Sequence, residues 1–193
     1  MENKTVAIIG DSVSFDHFLS LSHLLGVPQE LPRAMRRDAM LTSQVCNKKD
    51  HNNSSSSSST LIGKRDLYLH SVKDIVRDHF PDALVLNRGA QYVPNDELLR
   101  HMNDTLFPQL NDWQARCKLE KKDCLLIWRT TVPHHPTCSQ FTRPSNSVEE
   151  MEQVIARDTM DAFYWNTFSV QNELLLKAFQ IQKRTMKLWM HIM

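Results

Sequence analysis

The sequence predicts a three-layer α/β fold in which helices cover both faces of a parallel sheet. Three short apolar runs, separated by helical patterns, carry this prediction: Thr5–Ile9, Ala83–Leu86 and Leu125–Trp128. Strands that alternate with helices favour a parallel sheet buried on both faces. Right-handed crossovers bring the carboxyl ends of such strands to one edge, so we expect the polar segments after these runs to meet there.

The first strand, Thr5–Ile9, is short and apolar, and Gly10 bounds it. The apolar residues of Phe15–Leu25 recur at helical spacing, and Gly26 is a natural C-cap for that helix. Met40–Cys46 is expected to form a second strand. The first part of the chain therefore predicts a strand, a helix and a further strand.

A serine-rich segment interrupts this pattern at residues 50–60. It contains six consecutive serines, Ser54–Ser59. Such a segment cannot bury enough apolar surface to order itself, so we expect a flexible surface insertion. A phosphorylated regulatory tract is the alternative interpretation.

The second part of the chain continues the alternation. We expect Pro81 to end one helix and Pro108 to kink another. The strongly helical region that begins near Ser147 forms either two helices or one bent helix. The predicted elements are a helix at Leu67–Phe80, a strand at Ala83–Leu86, a helix at Asn95–Trp113, a strand at Leu125–Trp128 and helix over Ser147–Lys187.

Length and composition limit the classes of protein to consider. The 193 residues, 41% of them hydrophobic and 23% charged, suit a single domain over residues 1–193. A net charge of +1 gives no electrostatic reason to expect nucleic acid as a partner. No run of about 18 apolar residues is present, so no membrane span is predicted. The first strand begins close to Met1 and leaves no room for a signal peptide, so the chain is either cytosolic or has lost its N-terminus.

The cysteines do not suggest a metal site. No pair has CxxC spacing, and no histidines stand nearby at zinc-like spacing, so neither a metal nor another cofactor is implied. Reduced structural thiols are the favoured interpretation, although an oxidising compartment would allow three disulfide pairings. The four cysteines are Cys46, Cys117, Cys124 and Cys138.

Polar residues follow each of the three apolar runs at once. These segments are Gly10–Ser12, Asn87–Gly89 and Arg129–Thr131. Ser12 is a candidate acyl-transfer nucleophile, since a serine that opens a helix after a buried strand is exposed beside a helix N-terminus. The alternative is an ordinary turn in which Asp11 caps the helix.

These segments and their order resemble the SGNH (GDSL-type) hydrolases, and more narrowly the trichome-birefringence-like and PC-esterase branch. The resemblance covers nearly the whole chain outside the serine tract. It rests on the segments Ile9–Ser14, Asp16–Leu21, Asn87–Tyr92, Trp128–Pro136, Phe163–Asn166 and Gln171–Asn172.

The resemblance implies a flavodoxin-like sheet and a set of site residues. Ser12 would carry the acyl group, and the N–H groups of Ser12 and Gly89 would bind the oxyanion. Arg129 stands where the superfamily usually has an oxyanion-binding Asn and would bind the oxyanion or a substrate oxygen. Asn87 would belong to the same substrate-binding edge. A structural ion pair with a nearby carboxylate is the alternative role for Arg129.

One part of the family pattern is missing. The family takes its catalytic base and orienting acid from an Asp-x-x-His segment, and this sequence contains none. His134 and His135 follow the third strand on a predicted loop, and His191 has no Asp three residues before it. We therefore expect a sheet that is incomplete at its C-terminus and a chain that is nearly inactive as written. The tail, Leu188–Met193, is either the start of the next strand or a frayed helix end.

Three functions follow from these observations. The first is an incomplete glycan O-acetyltransferase or acetylesterase, whose acyl donor and glycan acceptor are implied by the resemblance. That function implies the Golgi or secretory path, where the cysteines would be bridged. The second is a non-catalytic domain that binds a carbohydrate or a protein partner. The third, a nucleotide binder, is disfavoured because GxGxxG and GxxxxGK[ST] are both absent.

Overall fold

The structure is a computed structural model that describes residues 3–29, 40–46, 58–88, 94–131, 143, 146–156, 167–185 and 190–192. Its strands are β1 Thr5–Gly10, β2 Met40–Cys46, β3 Ser58–Arg65, β4 Ala83–Leu86, β5 Leu125–Trp128 and β6 Met190–Ile192. Its helices are α1 Ser12–Leu24, α2 Val72–His79, α3 Asn95–His101, α4 Phe107–Leu119, α5 Val148–Ala156 and α6 Phe168–Thr185, with a π-helical turn at Met102–Leu106.

The strands form one six-stranded sheet in the order β2-β3-β1-β4-β5-β6. All neighbouring strands are parallel except β2 and β3, which are antiparallel. The predicted α/β fold is confirmed, but the sheet is mixed instead of wholly parallel. The link between β2 and β3, residues 47–57, is shorter than the dozen or more residues that a parallel crossover needs.

Helices pack on both faces of the sheet, as predicted. Successive side chains of β1 point to opposite faces, so Ala7 and Ile9 belong to one apolar core and Ile8 to another. Phe15 and Phe18 of α1 cover the face that carries Ile8. Apolar residues of α2, α3, α4 and α6 cover the opposite face. These three layers hold the carboxyl ends of the parallel strands at one edge.

Strand β3 corrects the prediction of a loop over residues 50–60. Its first residues, Ser58–Thr60, were assigned to that insertion, and residues 50–57 lie outside the described part of the chain. Ser59 is buried and pairs with Val45 of β2. Backbone pairing does not require apolar side chains, so the strand that Leu61 and Ile62 anchor extends backward into the serines.

Helix α2 is shorter than the predicted helix Leu67–Phe80. The carboxylate of Asp66 accepts hydrogen bonds from the backbone N of Tyr68 at 3.0 Å and from the N and Oγ of Ser71, both at 2.7 Å. Leu69 has a φ of +58°, which a helix does not allow. The Asp66 side chain therefore stabilises a turn, and the helix begins only after it.

The long helix predicted over Asn95–Trp113, with a kink expected at Pro108, is divided by a π-helical turn just before Pro108. The turn Met102–Leu106 is π-helical, and α4 then continues to Leu119, beyond the predicted end. Pro108 has no N–H for the carbonyl four residues earlier, and its ring crowds that carbonyl. The wider π-helical turn before Pro108 relieves this conflict. Such turns usually occur as one isolated turn within an α-helix.

A disulfide joins Cys117 to Cys124, with their Cα atoms 6.1 Å apart. The expectation of reduced thiols is therefore wrong for these two residues. The turn between α4 and β5 brings the end of the helix back beside the residue that precedes the strand. The sulfur of Cys46 and the whole of Cys138 lie outside the described residues.

The C-terminal region has two separate described helices, α5 and α6, which was one of the two predicted arrangements. Met190–Ile192 forms β6, which pairs in parallel with Leu126–Trp128. The described part of the tail, Met190–Ile192, is therefore a strand and not a frayed helix end. No described helix is both long enough and apolar enough to cross a membrane.

Candidate functional site

The polar segments after β1, β4 and β5 lie side by side at the carboxyl edge of the sheet. Ile9 is in register with Leu86, and Leu86 with Trp128. The backbone N of Asn87 donates to Ile9 O at 3.1 Å, and the N of Arg129 donates to Leu86 O at 2.8 Å. The predicted convergence is confirmed for the described residues of these segments.

Ser12 is the first residue of α1 and is half-buried. Asp11 is the N-cap, and its Oδ1 accepts a hydrogen bond from Ser14 N at 2.9 Å. The cap leaves the N–H groups of Ser12 and Val13 without intrahelical acceptors. Within the described residues, the Ser12 hydroxyl has no hydrogen-bond partner. The expected capping role of Asp11 is confirmed, and Ser12 stands at the open end of the helix.

Gly10 allows β1 and β4 to end close together. A Cβ atom at this position would lie 2.6 Å from Ser14 Oγ and 2.7 Å from the carbonyl O of Asn87. No side chain fits there, because real Cβ contacts are not that short. The glycine in the Gly-Asp-Ser segment is therefore required by the approach of these two backbone segments.

Arg129 is buried and pairs with residues of the turn that carries Ser12. Its Nη2 lies 3.0 Å from Asp11 Oδ1 and donates to Ser14 Oγ at 2.8 Å. Burial lowers the pKa of Arg129, and the Asp11 carboxylate opposes that shift. The ion pair considered as the alternative role for Arg129 is therefore present. This guanidinium fixes the first turn of α1.

Asn87 connects the ends of β4 and β5. Its Nδ2 donates to the carbonyl O of Arg129 at 2.8 Å and to Thr131 Oγ1 at 3.3 Å. Its Oδ1 is buried and has no hydrogen-bond partner within the described part of the chain. Asn172 of α6 holds the same segment from the other side: it accepts from Thr131 N at 3.0 Å and donates to Thr131 O at 2.7 Å. The sequence pattern does not indicate this role of Asn172, because only the fold brings α6 to β5.

Arg88 is a further buried cation at this edge, and no motif in the sequence indicates a function for it. It directly follows Asn87 and is 2% exposed. Its Cζ lies 5.4 Å from the centre of the Tyr68 ring. Burial lowers the pKa of Arg88, whereas the charges of Glu97, Tyr68 and Asp66 raise it. Its position at the end of a predicted strand was the only indication in the sequence.

Several candidate residues are not brought to Ser12 by the described structure. Gly89, His134 and His135 lie outside the described residues. His191 belongs to β6, where it pairs with Ile127. No histidine whose side chain the structure describes hydrogen-bonds Ser12. The described segments contain no group of three His, Cys, Asp or Glu residues suited to a metal ion.

Comparisons with known proteins add no identity to this site. No protein-family model matches the chain, and no curated protein matches it either. Its function is therefore inferred from the residues and geometry of the carboxyl edge.

Proposed function

We propose that this chain has an SGNH-type fold and a serine acyl-transfer site, belonging to an acyl-ester hydrolase or O-acetyltransferase that acts on glycans. One observation carries the proposal. Ser12, a half-buried residue, opens a helix at the carboxyl edge of a central strand, and no described residue hydrogen-bonds its hydroxyl. Beneath it, the buried pair of Asp11 and Arg129 holds the turn in place.

The strand order supports this proposal. Without the antiparallel edge strand β2, the order β3-β1-β4-β5-β6 is the 2-1-3-4-5 order of flavodoxin-like sheets. In such sheets, ligands bind where the strand order reverses, which here is the crevice between β1 and β4. Ser12 follows β1 and Asn87 follows β4. The candidate nucleophile therefore lies at the position where this topology favours a ligand.

The proposed reaction has two steps. Ser12 Oγ attacks the carbonyl carbon of an acyl ester, its proton passes to a base, and the alcohol departs with a proton as the acyl-serine forms. Water or a sugar hydroxyl then attacks the acyl-serine and releases Ser12. The N–H of Ser12, which has no intrahelical acceptor, is suited to stabilise the oxyanion of each tetrahedral intermediate.

In this mechanism Arg129 and Asn87 are positioning residues. Arg129 Nη2 is already bound to Asp11 and Ser14, so it fixes the helix turn around Ser12. Asn87 ties the end of β4 to Arg129 and Thr131. Both act on the reaction through the geometry of the serine turn.

The described structure shows no general base that could accept the proton of the Ser12 hydroxyl. The sequence has no Asp-x-x-His segment, and no described histidine hydrogen-bonds Ser12. A serine hydroxyl without a base is a weak nucleophile, and loss of triad members elsewhere costs on the order of 10⁴-fold in rate. We therefore expect the chain itself to hydrolyse acetyl esters very slowly.

A thiol at position 12 tests the site without needing that base. A cysteine thiol can attack an acyl ester without a neighbouring general base, because part of it is ionised near neutral pH. A helix N-terminus lowers the pKa of the thiol and so favours the reactive thiolate. We expect Ser12→Cys to be acetylated by p-nitrophenyl acetate at least about tenfold faster than the control Ser20→Cys, which is exposed on the same helix. Peptide mapping by mass spectrometry locates the acetyl group. Equal rates at the two positions would contradict an acyl-transfer site at Ser12.

A non-catalytic domain that binds a carbohydrate or a protein partner is the second candidate. The absence of a described histidine bonded to Ser12, together with the engaged Arg129, favours it. Glycan binding that persists while the Ser12→Cys thiol shows no enhanced acylation would support this candidate over the enzyme.

The disulfide supports a location in the Golgi or the secretory path. Disulfides persist in oxidising compartments and are rare in the cytosol. The bond between Cys117 and Cys124 therefore fits the compartment in which glycan acyl transfer is proposed.

A further inference from the structure

A buried guanidinium that no described residue hydrogen-bonds lies beside the candidate site. Arg88 is 2% exposed, and its Nε and Nη1 have no hydrogen-bond partner in the described structure. Burying a charged group without a hydrogen-bonding partner is unfavourable, so such a group in a native fold requires an explanation. A bound anion supplies one.

A second unpaired polar side chain belongs to the same region. Both ring nitrogens of His101 are buried without a hydrogen-bond partner within the described residues. The His101 ring lies 5.7 Å from the ring of His70, which stacks on Tyr68 at 5.6 Å. Together with the contact between Arg88 and Tyr68, these four residues form one group, the Arg88 cluster.

The charges around the cluster favour a ligand with a single negative charge. Burial, the charge of Arg88 and that of His70 lower the pKa of His101 to about 4, so its imidazole is neutral near pH 7. Asp66 and Glu97 act on Arg88 through their charge without hydrogen-bonding it, and Asp66 already accepts bonds from Tyr68 and Ser71. A dianion would meet one buried cation and two nearby carboxylates, whereas a monoanion matches the guanidinium.

We propose that the Arg88 cluster binds a carboxylate group of the ligand. The planar guanidinium can donate two parallel hydrogen bonds to the two carboxylate oxygens, and neutral His101 can donate a third. Arg88 follows Asn87 at the crevice between β1 and β4, where the proposed acyl-transfer site lies. Resting on that proposed function, this inference makes the substrate a glycan that contains carboxylate-bearing sugars.

Three sugars of similar shape test the inference on the whole chain. The probes are glucuronate, glucose and glucose 6-phosphate, and binding is measured by ligand-observed NMR titration. We expect glucuronate to bind at least about tenfold more tightly than glucose, as charge-assisted hydrogen bonds predict, and more tightly than the dianionic phosphate. Equal affinity for glucuronate and glucose, or a preference for the phosphate, would overturn the proposal.

A matched pair of variants tests whether Arg88 is responsible. Arg88→Met removes the charge and is expected to abolish the preference for glucuronate over glucose. Arg100→Met removes an exposed arginine of α3 and is expected to leave the preference unchanged. A folded Arg88→Met variant that retains the preference contradicts the assignment. If this variant does not fold, the comparison of the three sugars on the unsubstituted chain still tests whether the protein prefers a carboxylate-bearing sugar.

The two proposals fail in different measurements. Enhanced acylation of Ser12→Cys without a preference for glucuronate would support the acyl-transfer site and contradict the carboxylate subsite. A preference for glucuronate without enhanced acylation would contradict the acyl-transfer site and support the carboxylate subsite as part of a carbohydrate-binding domain.

Discussion

The guanidinium of Arg129 lies 3.0 Å from the carboxylate of Asp11, although 118 positions separate them in the sequence. Their side chains are only 10% and 4% exposed. Asp11 caps the helix that begins with Ser12, and Arg129 directly follows β5. The shape of the turn that carries Ser12 therefore depends on the end of a strand two positions away in the sheet.

Breaking this pair should strongly destabilise the fold. Arg129→Met leaves the Asp11 carboxylate buried without its cation, which costs about 3–5 kcal/mol in free energy of unfolding. Urea denaturation measures the loss. Glu120→Gln, which removes an exposed pair with Arg116, is the control and should cost less than about 1 kcal/mol. Equal losses in the two variants would mean that the buried pair has no special role.

Gly63→Ala should be destabilising because α1 lies directly against β3. A Cβ atom at position 63 would meet ring carbons of Phe18 at 2.2–2.5 Å. Overpacking of this kind costs about 1–3 kcal/mol, measured by thermal or urea unfolding. The double variant Gly63→Ala/Phe18→Leu should recover part of the loss, since the smaller side chain makes room. No recovery would show that the conflict is not with the Phe18 ring.

His101 should make the fold less stable as pH falls from about 6.5 to about 4. Burial, followed by the charges of Arg88 and His70, lowers its pKa to about 4 in the folded state, against about 6.5 when unfolded. Between these values only the unfolded chain binds the proton, so acid favours unfolding. His101→Gln should flatten the dependence of urea midpoint on pH in this window. The control His17→Gln, at an exposed position, should leave the slope unchanged.

Asp82 should affect stability in a more acidic window. Burial acts to raise its pKa, but hydrogen bonds from Thr5 N and Lys4 Nζ and the charge of Lys122 outweigh burial and lower the pKa below the ordinary value. Its stabilising contribution is present above about pH 4 and is lost as pH falls through the folded-state pKa. Asp82→Asn should remove that acid-dependent loss in urea unfolding. Asp112→Asn, at an exposed carboxylate, should not.

The disulfide should contribute measurably to stability. It closes a short loop between α4 and β5, and the restriction of the unfolded chain is worth about 2–3 kcal/mol for short loops. Cys117→Ala/Cys124→Ala should lower the urea midpoint accordingly. A reductant should lower the midpoint of the unsubstituted chain and leave that of the double variant unchanged. A reductant effect of equal size in both would indicate that another thiol pair is responsible.

The central strands could be predicted from the sequence because each is a short apolar run bounded by turn residues. Ala83–Leu86 and Leu125–Trp128 form strands over the predicted ranges. Strand β3 could not be predicted, because five of its eight residues are polar and only pairing with β1 and β2 orders the segment. Local sequence pattern reports buried apolar surface, whereas backbone pairing between distant segments leaves no such pattern.

The candidate site was predictable in position but not in its contacts. Polar residues after apolar strands indicated the edge that contains Ser12, Asn87 and Arg129. The side chains that engage Arg129 could not be identified, because its partners lie more than 100 residues earlier. The Arg88 cluster was missed for a similar reason: His70 and His101 meet only after α2 and α3 pack on the sheet.

The order of the strands has a consequence for synthesis on the ribosome. Strands β4, β5 and β6 each pair with a strand nearer the N-terminus, and β3 pairs with β1 and β2, both of which precede it. As the chain emerges, every strand from β3 onward therefore meets a partner that is already outside the tunnel. The sheet can grow one strand at a time from its N-terminal half. Asp11, at the end of β1, can form its ion pair only after Arg129 has been synthesised.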